Sequence, residues 1–139
     1  MGWLGYALLS AVCAGLVAIF GKIGVREVDS NLATAVRSAV MTVFLIAIIT
    51  VQGTTGKLSA IPKIPLLFII LSGVAGAVSW IFYFKALQLG AAAQVAAIDK
   101  LSVAFAVILA AIFLKESMNI RLIAGVLLIL TGAILISRS

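Results

Sequence analysis

Three charged side chains stand inside long apolar stretches of this sequence, where they could bind a solute or, in the case of Asp99, a proton. Arg37 lies about six residues into one stretch, and Asp99 and Lys100 lie about eight residues into another. At about 1.5 Å per residue, these positions are roughly 9 and 12 Å deep in a helix. Charges inside membrane spans are costly, at about 2.5–3.5 kcal/mol on insertion scales, and they usually mark a pathway. The three residues are therefore the first candidates for a site.

The sign of these charges favours a polar or anionic solute. Basic residues lie in or at the ends of apolar runs on one side, namely Lys22, Arg37, Lys85 and Lys100, whereas Asp99 is the single acid inside a run. A site for a cationic drug would offer an unpaired carboxylate among aromatic rings. Arg and Lys instead bind carboxylate or phosphate. Lys22 is therefore included in the predicted site, and Asp99 is the candidate for proton coupling.

Asp99 and Lys100 also allow a structural interpretation. Neighbours on a helix point about 100° apart, so the two side chains are not expected to share a helix face, and one should meet Arg37 or Lys22 on another helix. An ion pair of Asp99 with Arg37 or Lys100 would hold helices together, because polar contacts inside the membrane also serve packing. Both interpretations can apply to the same residues.

A second group of candidates lies in the third apolar run. Small and polar residues recur there at spacings of four, three and four, namely Ser72, Gly76, Ser79 and Tyr83. They share one helical face, with Trp80 beside them, and this predicts a cavity lining in which Ser79, Trp80 and Tyr83 bind substrate. The alternative is close helix packing through small residues such as Gly73 and Ala77.

The apolar stretches themselves predict the fold. The chain is 65% hydrophobic and 10% charged, against about 25% charged in soluble domains. Five runs each approach the ~20 residues that cross a bilayer, at 3–21, 31–51, 65–86, 91–114 and 119–137. Lipid leaves open backbone groups unsatisfied, so the runs must be helices. We predict an all-α, polytopic membrane bundle of five transmembrane helices, forming a single domain over residues 1–139.

Local signals refine this prediction. Asp29 or Ser30 can cap the second helix through a side-chain oxygen. Gly125 and Gly132 are seven residues apart in the last run, which predicts close helix packing. Pro65 suits the first turn of the third helix.

Several function classes are excluded or disfavoured by residue type. The chain has no His and one Cys, Cys13, which excludes a His-based triad, a typical zinc site and an intrachain disulfide. No nucleophile and base pattern is visible, so we expect no catalysis, metal or cofactor. The net charge of +6 comes from Lys and Arg at the ends of apolar runs, which is typical of membrane proteins and argues against nucleic acid as a partner.

The charged connections bear on orientation. Side A, with the N-terminus and the second and fourth connections, carries Lys57, Lys63, Lys115 and Arg121; side B carries Lys22, Arg26, Lys85 and Arg138. Orientation follows the Lys and Arg bias, which is zero here. We therefore predict dual topology and an antiparallel homodimer, which recreates an inverted repeat with its site near the midplane. A single orientation is the alternative, if Arg37 and Lys100 count for side B.

Several segments resemble a known family. Residues 100–102, 113–117, 123–125 and 130–132 resemble the closing signature of the EamA domain, which belongs to the drug/metabolite transporter superfamily. Residues 83–90 (YFKALQLG) resemble its third-helix ending, and Arg37 matches a position where the family usually has Arg. Residues 98–102 (IDKLS) resemble the short, single-domain, five-helix branch. Full-length members usually carry Pro near Leu101, and its absence removes the reason to expect a kink in the fourth helix.

The resemblance implies a five-helix unit that is normally duplicated as inverted halves and that here stands alone. Family members carry amino acids, nucleotide sugars and other metabolites, and the cavity residues it implies are Arg37, Trp80, Tyr83, Asp99 and Lys100. We predict a secondary transporter that moves a small metabolite by alternating access in the cytoplasmic membrane of a prokaryote. Its expected partners are membrane lipid, a second copy of the chain and a small-molecule substrate.

Two alternatives to this function remain open. A flippase for a lipid-linked sugar or phosphate would use the same charged face toward lipid head groups. A non-transporting accessory subunit would use the polar residues for helix contacts alone.

Overall fold

The computed structural model describes residues 2–138, which form helices joined by short connections. The α-helices are α1 (Trp3–Gly24), α2 (Ser30–Val51), α3 (Lys63–Leu89), α4 (Ala92–Asp99), α5 (Ser102–Phe113) and α6 (Ile120–Ser137), with a 3-10 helix at Thr55–Ala60. Within this part of the chain, five helical spans are long and apolar enough to cross a membrane, with α4 and α5 together forming the fourth. The all-α class and the five spans are confirmed.

The start of α2 follows from its capping residue. The Oδ1 atom of Asp29 accepts hydrogen bonds from the backbone N–H groups of Asn31, at 2.9 Å, and Leu32, at 3.1 Å. A side-chain oxygen at this position satisfies amide groups that have no partner inside the helix. Of the two capping candidates, Asp29 is the one that caps. Pro65 lies in the first turn of α3, as predicted.

The fourth span differs from the uninterrupted helix predicted over 91–114. The backbone N–H of Lys100 donates to Ala97 and that of Leu101 donates to Ile98, so hydrogen bonds over three residues replace those over four. The same pattern continues in the bonds from Val103 to Lys100. Such a 3-10 stretch is a tighter helical form that occurs at helix ends and hinges. A break therefore exists without proline, at the point where polar residues enter the apolar run.

The chain divides into two compact units. The terminal unit comprises the described parts of residues 1–23 and 89–139, and the central unit comprises residues 24–88. In the terminal unit, α4 packs along α6 and α5 also contacts α6. The Nζ atom of Lys22 donates a 2.8 Å hydrogen bond to the carbonyl of Gly90, which joins the end of α1 to the short connection before α4.

The central unit has its buried residues at one end. The buried residues are Val25, Ser30, Thr34, Phe84 and Leu87. They belong to the beginning of α2, the end of α3 and the connection that precedes α2; we call this the capped end of the central unit. Residues 38–51 and 63–79, all of which the structure describes, include no buried residue. The buried side chains of the central unit thus lie at the capped end, and the rest of its two spans is half-buried or exposed.

The predicted glycine contacts are not made within the described chain. A Cβ atom placed on Gly73, Gly76, Gly125 or Gly132 would have no heavy atom within 4 Å among the residues considered around it. The prediction of close packing through these positions is therefore wrong for contacts within one copy. Backbone this accessible can be approached closely by another helix, because no side chain stands in the way.

Candidate functional site

Arg37 and Trp80 form the central contact of the candidate site. The guanidinium carbon of Arg37 lies 3.5 Å from the centroid of the Trp80 ring and 5.8 Å from that of Phe84. The guanidinium is planar and stacks on aromatic faces, and indole is the strongest of the aromatic partners for a cation. This contact joins α2 to α3 inside the central unit, about 10 Å from the start of α2 at 1.5 Å per residue.

The aromatic residues of α3 hold Trp80 in place. The rings of Trp80 and Tyr83 meet edge to face with their centroids 5.3 Å apart, and those of Trp80 and Phe84 are 5.7 Å apart. Edge-to-face geometry is favourable because the positive edge of one ring meets the negative face of another. Phe84 is buried at 4% exposure and Leu87 at 0%. Positions 80, 83, 84 and 87 therefore form one packed helix face.

The hydroxyl groups of α2 add a polar stripe next to Arg37. Thr34 donates to the carbonyl of Ser30 at 2.7 Å, Ser38 to that of Thr34 at 2.9 Å, and Thr42 to that of Ser38 at 2.9 Å. Each hydroxyl is satisfied by its own helix and still keeps an acceptor lone pair. The spacing of four residues is visible in the sequence, although the prediction of the site did not use it.

Arg37 has unused hydrogen-bonding capacity. Within residues 2–138, its guanidinium makes no hydrogen bond or ion pair, and its contacts are the ring contacts with Trp80 and Phe84. The side chain is half-buried rather than fully exposed. A guanidinium presents five N–H donors in a fork that matches carboxylate and phosphate. A stacked, half-buried cation with its donors available is suited to bind an anionic group.

Asp99 and Lys100 pair with each other. The Nζ atom of Lys100 lies 3.3 Å from the Oδ2 atom of Asp99, and their side chains are 53% and 39% exposed respectively. The expectation that adjacent residues would not meet is corrected: α4 ends at Asp99, and the flexible four-carbon stem of Lys100 reaches back to the carboxylate. Because both side chains are exposed in a single copy, the ion pair of Asp99 with Lys100 is not the buried pair that the structural interpretation predicted.

The remaining predicted residues are placed as follows. Ser79 is exposed, next to Trp80 on α3, and Tyr83 is half-buried against the indole. Lys22 is half-buried and uses its ammonium group on the carbonyl of Gly90. The structure thus brings Arg37, Trp80 and Tyr83 together in the central unit, whereas Lys22, Asp99 and Lys100 belong to the terminal unit.

Two residues that the sequence did not single out contribute to the central unit. Phe84 supports the indole, and Gln88 binds the connection before α2: its Nε2 atom donates to the carbonyls of Val25, at 3.3 Å, and Val28, at 3.1 Å. Phe84 shares a face with Trp80 at a spacing of four, which was a usable signal. The partners of Gln88 lie more than fifty positions earlier in the chain, so no local pattern indicated them.

The terminal unit contains an apolar cavity of about 320 Å³. Its lining comes from α5, α6 and the connection between them: Val103, Ala106, Val107, Ala110, Glu116, Ser117, Met118 and Leu122. None of the seven residues predicted from the sequence lines it. Among these lining residues, the ionisable one is Glu116, in the connection between α5 and α6.

Within the described residues, five apolar helical spans, one of which carries the aromatic-stacked Arg37, indicate a multi-pass membrane protein. The sequence matches the EamA-like transporter family over residues 1–138. It is also 43% identical over 135 residues to a protein of Sinorhizobium sp. described as an uncharacterized transporter in the cobO 3' region, with 97% of this chain and 96% of that protein covered. The chain belongs to the EamA-like transporter family and is a membrane transporter.

No solved structure matches the chain.

Proposed function

We propose that this chain is a half-size secondary transporter, which moves a small polar or anionic metabolite by alternating access as an antiparallel homodimer. The observation that carries the proposal is the Arg37 guanidinium, which is stacked on Trp80 at 3.5 Å and whose N–H donors have no partner among residues 2–138. The 43% identical relative in Sinorhizobium sp. supports a location in the cytoplasmic membrane of a prokaryote.

The substrate class follows from the chemistry of Arg37. The indole face stabilises the cation without neutralising it, because the attraction comes from the ring quadrupole. The N–H edge is then available for a carboxylate or phosphate, which it can hold with two parallel hydrogen bonds. A carboxylate of the protein itself at this N–H edge would compete with a solute anion for Arg37. Within the described chain, the acid that lies inside a span is Asp99, and it pairs with Lys100.

The homodimer is supported by the helix faces that the five spans leave open. Transporters commonly contain inverted repeats with the substrate site between them. The five spans would form one such repeat, and among the described residues considered around them no heavy atom lies within 4 Å of a Cβ placed on Gly73 or Gly76 of α3, or on Gly125 or Gly132 of α6. The equal loop charges on the two sides support insertion in both orientations. Asp99 is proposed to take up the coupled proton, because it is the acid inside a predicted span and its carboxylate lies 3.3 Å from the ammonium group of Lys100.

A binding experiment tests the anionic site. The purified protein in nanodiscs is titrated with benzoate and phenyl phosphate, and with the neutral analogues benzamide and benzyl alcohol. We expect the anions to bind at least tenfold more tightly than the neutral compounds, and Arg37→Gln to remove this preference. The matched control is Arg26→Gln, at an exposed position of the α1–α2 connection.

The outcomes separate the proposal from its alternatives. Equal binding of anions and neutral analogues, or a preference that survives in Arg37→Gln, would contradict the anionic site. Binding that requires an acyl chain on the phosphate would favour the flippase for lipid-linked substrates. A dimer that falls apart in Arg37→Gln, with no binding by the parent protein, would favour the accessory subunit.

A further inference from the structure

Gln88 stands at the capped end of the central unit, where its amide group uses all its polar atoms. Nε2 donates to the carbonyls of Val25 and Val28, and Oε1 accepts a 3.1 Å hydrogen bond from Nζ of Lys85. An ammonium group only donates, so its contact fixes which side of the amide carries oxygen. The NH₂ group then faces the two carbonyls, which lie outside regular helix in the connection before α2.

The position of these bonds relative to Arg37 and Trp80 suggests what they do. The buried residues of the central unit lie at the capped end, beyond the stacked pair, and include Val25 and Leu87 at 0% exposure. On the other side of the pair, α2 carries an open groove of about 480 Å³ lined by Phe44, Ala47, Ile48, Val51 and Gln52. The groove begins about two helical turns from Arg37, in the part of α2 that has no buried residue, whereas the connection held by Gln88 covers the capped end.

We propose that Gln88 is a gate residue of the transport cycle, whose hydrogen bonds to the α1–α2 connection break when the Arg37 site opens toward the capped end. This inference rests on the proposed function, since a gate has a role only if a solute passes. Water at the membrane surface replaces the lost partners of Val25 and Val28, so the net contribution of each bond is small and the exchange is reversible. Gln88 is thus a positioning residue and does not itself bind the substrate.

Labelling of a buried cysteine at position 25 tests the gate. Cys13→Ser removes the native thiol, and Val25→Cys introduces a thiol at a position with 0% exposure. The protein is held in nanodiscs, where both membrane faces are accessible, and the rate of reaction with a charged maleimide is measured without any solute. We expect Gln88→Leu and Gln88→Glu to raise this rate about tenfold, since the loss of two hydrogen bonds shifts the population toward the open form.

The variant Gln88→Glu distinguishes the loss of hydrogen bonds from a change in side-chain volume. A Glu at position 88 keeps the size and can still accept from Lys85, but its carboxylate cannot donate to the carbonyls of Val25 and Val28. The matched control is Gln94→Leu, because Gln94 lies on α4 in the terminal unit and makes no side-chain hydrogen bond within the described residues. Its labelling rate should equal that of the parent.

A second cysteine distinguishes opening from unfolding. Ala133→Cys places a thiol on α6 at a position with 4% exposure, and its labelling should stay unchanged in both Gln88 variants. Unchanged labelling at position 25, or an equal rise at positions 25 and 133, would overturn the gate. Since no solute is used, such a result leaves anion binding at Arg37 untouched, and a failed binding experiment likewise leaves the labelling result in place.

Discussion

The guanidinium of Arg37 lies 3.5 Å from the centre of the Trp80 ring, and this contact replaces the carboxylate that a buried arginine commonly has as a partner. An ion pair would neutralise the charge and use the N–H donors, whereas an aromatic face does neither. The insertion cost of the charge is thereby reduced while its capacity to bind an anion is kept. Stacking thus explains how a cation can remain inside a span and available.

Replacing Trp80 should therefore weaken anion binding through Arg37. We expect Trp80→Leu to lower the affinity for benzoate roughly tenfold, because a partly desolvated cation–π contact is worth about 1–2 kcal/mol, and Trp80→Phe to lower it by about threefold or less. Equilibrium dialysis with radiolabelled benzoate measures both. Trp3→Leu is the control, since Trp3 is 81% exposed. If Trp80→Leu bound benzoate as tightly as Trp3→Leu does, stacking on Trp80 would not contribute to anion binding by Arg37.

Proton coupling through Asp99 gives a second prediction. In proteoliposomes that show substrate-driven proton movement, Asp99→Asn should abolish this movement while binding at Arg37 persists, because an amide cannot take up the proton that a carboxylate can. The internal pH of the vesicles is followed with a trapped dye. Glu116→Gln is the matched control, since Glu116 is an acid in a connection rather than in a span. Retained coupling in Asp99→Asn would leave Asp99 as an ion-pair partner of Lys100.

The five spans could be predicted because each depends on a local property, the length of an apolar run. Asp29 could be predicted as a cap because its role depends on the next three residues. The site was predictable only as single residues. Arg37 and Trp80 are polar or unusual inside a span, but their stacking depends on how α2 and α3 approach each other. Phe84 was missed because a Phe in an apolar run looks the same whether it faces lipid or a neighbouring ring.

The break in the fourth span was missed for a different reason. Proline is the usual local signal for a helix break, and this chain has none near Leu101. The 3-10 hydrogen bonds of Lys100 and Leu101 arise where two charged residues meet an apolar helix, and sequence alone does not separate that situation from a continuous helix. The glycine spacing predicted close helix packing that is not made within the described chain. Such spacing indicates that a helix can approach closely, but it does not say whether that helix belongs to the same copy or to another one.

Loss of the α2 cap gives a third prediction. Asp29→Ala should lower the free energy of unfolding by about 1 kcal/mol, because the N–H groups of Asn31 and Leu32 lose their acceptor. Asp29→Ser should retain most of the stability, since a hydroxyl can also cap. Titration with a denaturing detergent, followed by circular dichroism, measures the change. The control is Glu27→Ala, an exposed acid nearby; a loss as large as that of Asp29→Ala would indicate a general charge effect instead of capping.

Orientation in the membrane gives the last prediction. In a Cys13→Ser background, a single cysteine appended at either end of the chain is tested for reaction with an impermeant maleimide outside intact cells. With four Lys or Arg on each side of the spans, each end should react in about half of the molecules. Replacing Lys57 and Lys63 by Gln removes two cations from side A and should shift the population strongly toward the orientation with side B in the cytoplasm, because short cytoplasmic connections carry the excess of Lys and Arg. If one end reacts fully and the other never does in the parent chain, the antiparallel homodimer is wrong. A separate partner with the opposite orientation would then have to supply the second repeat.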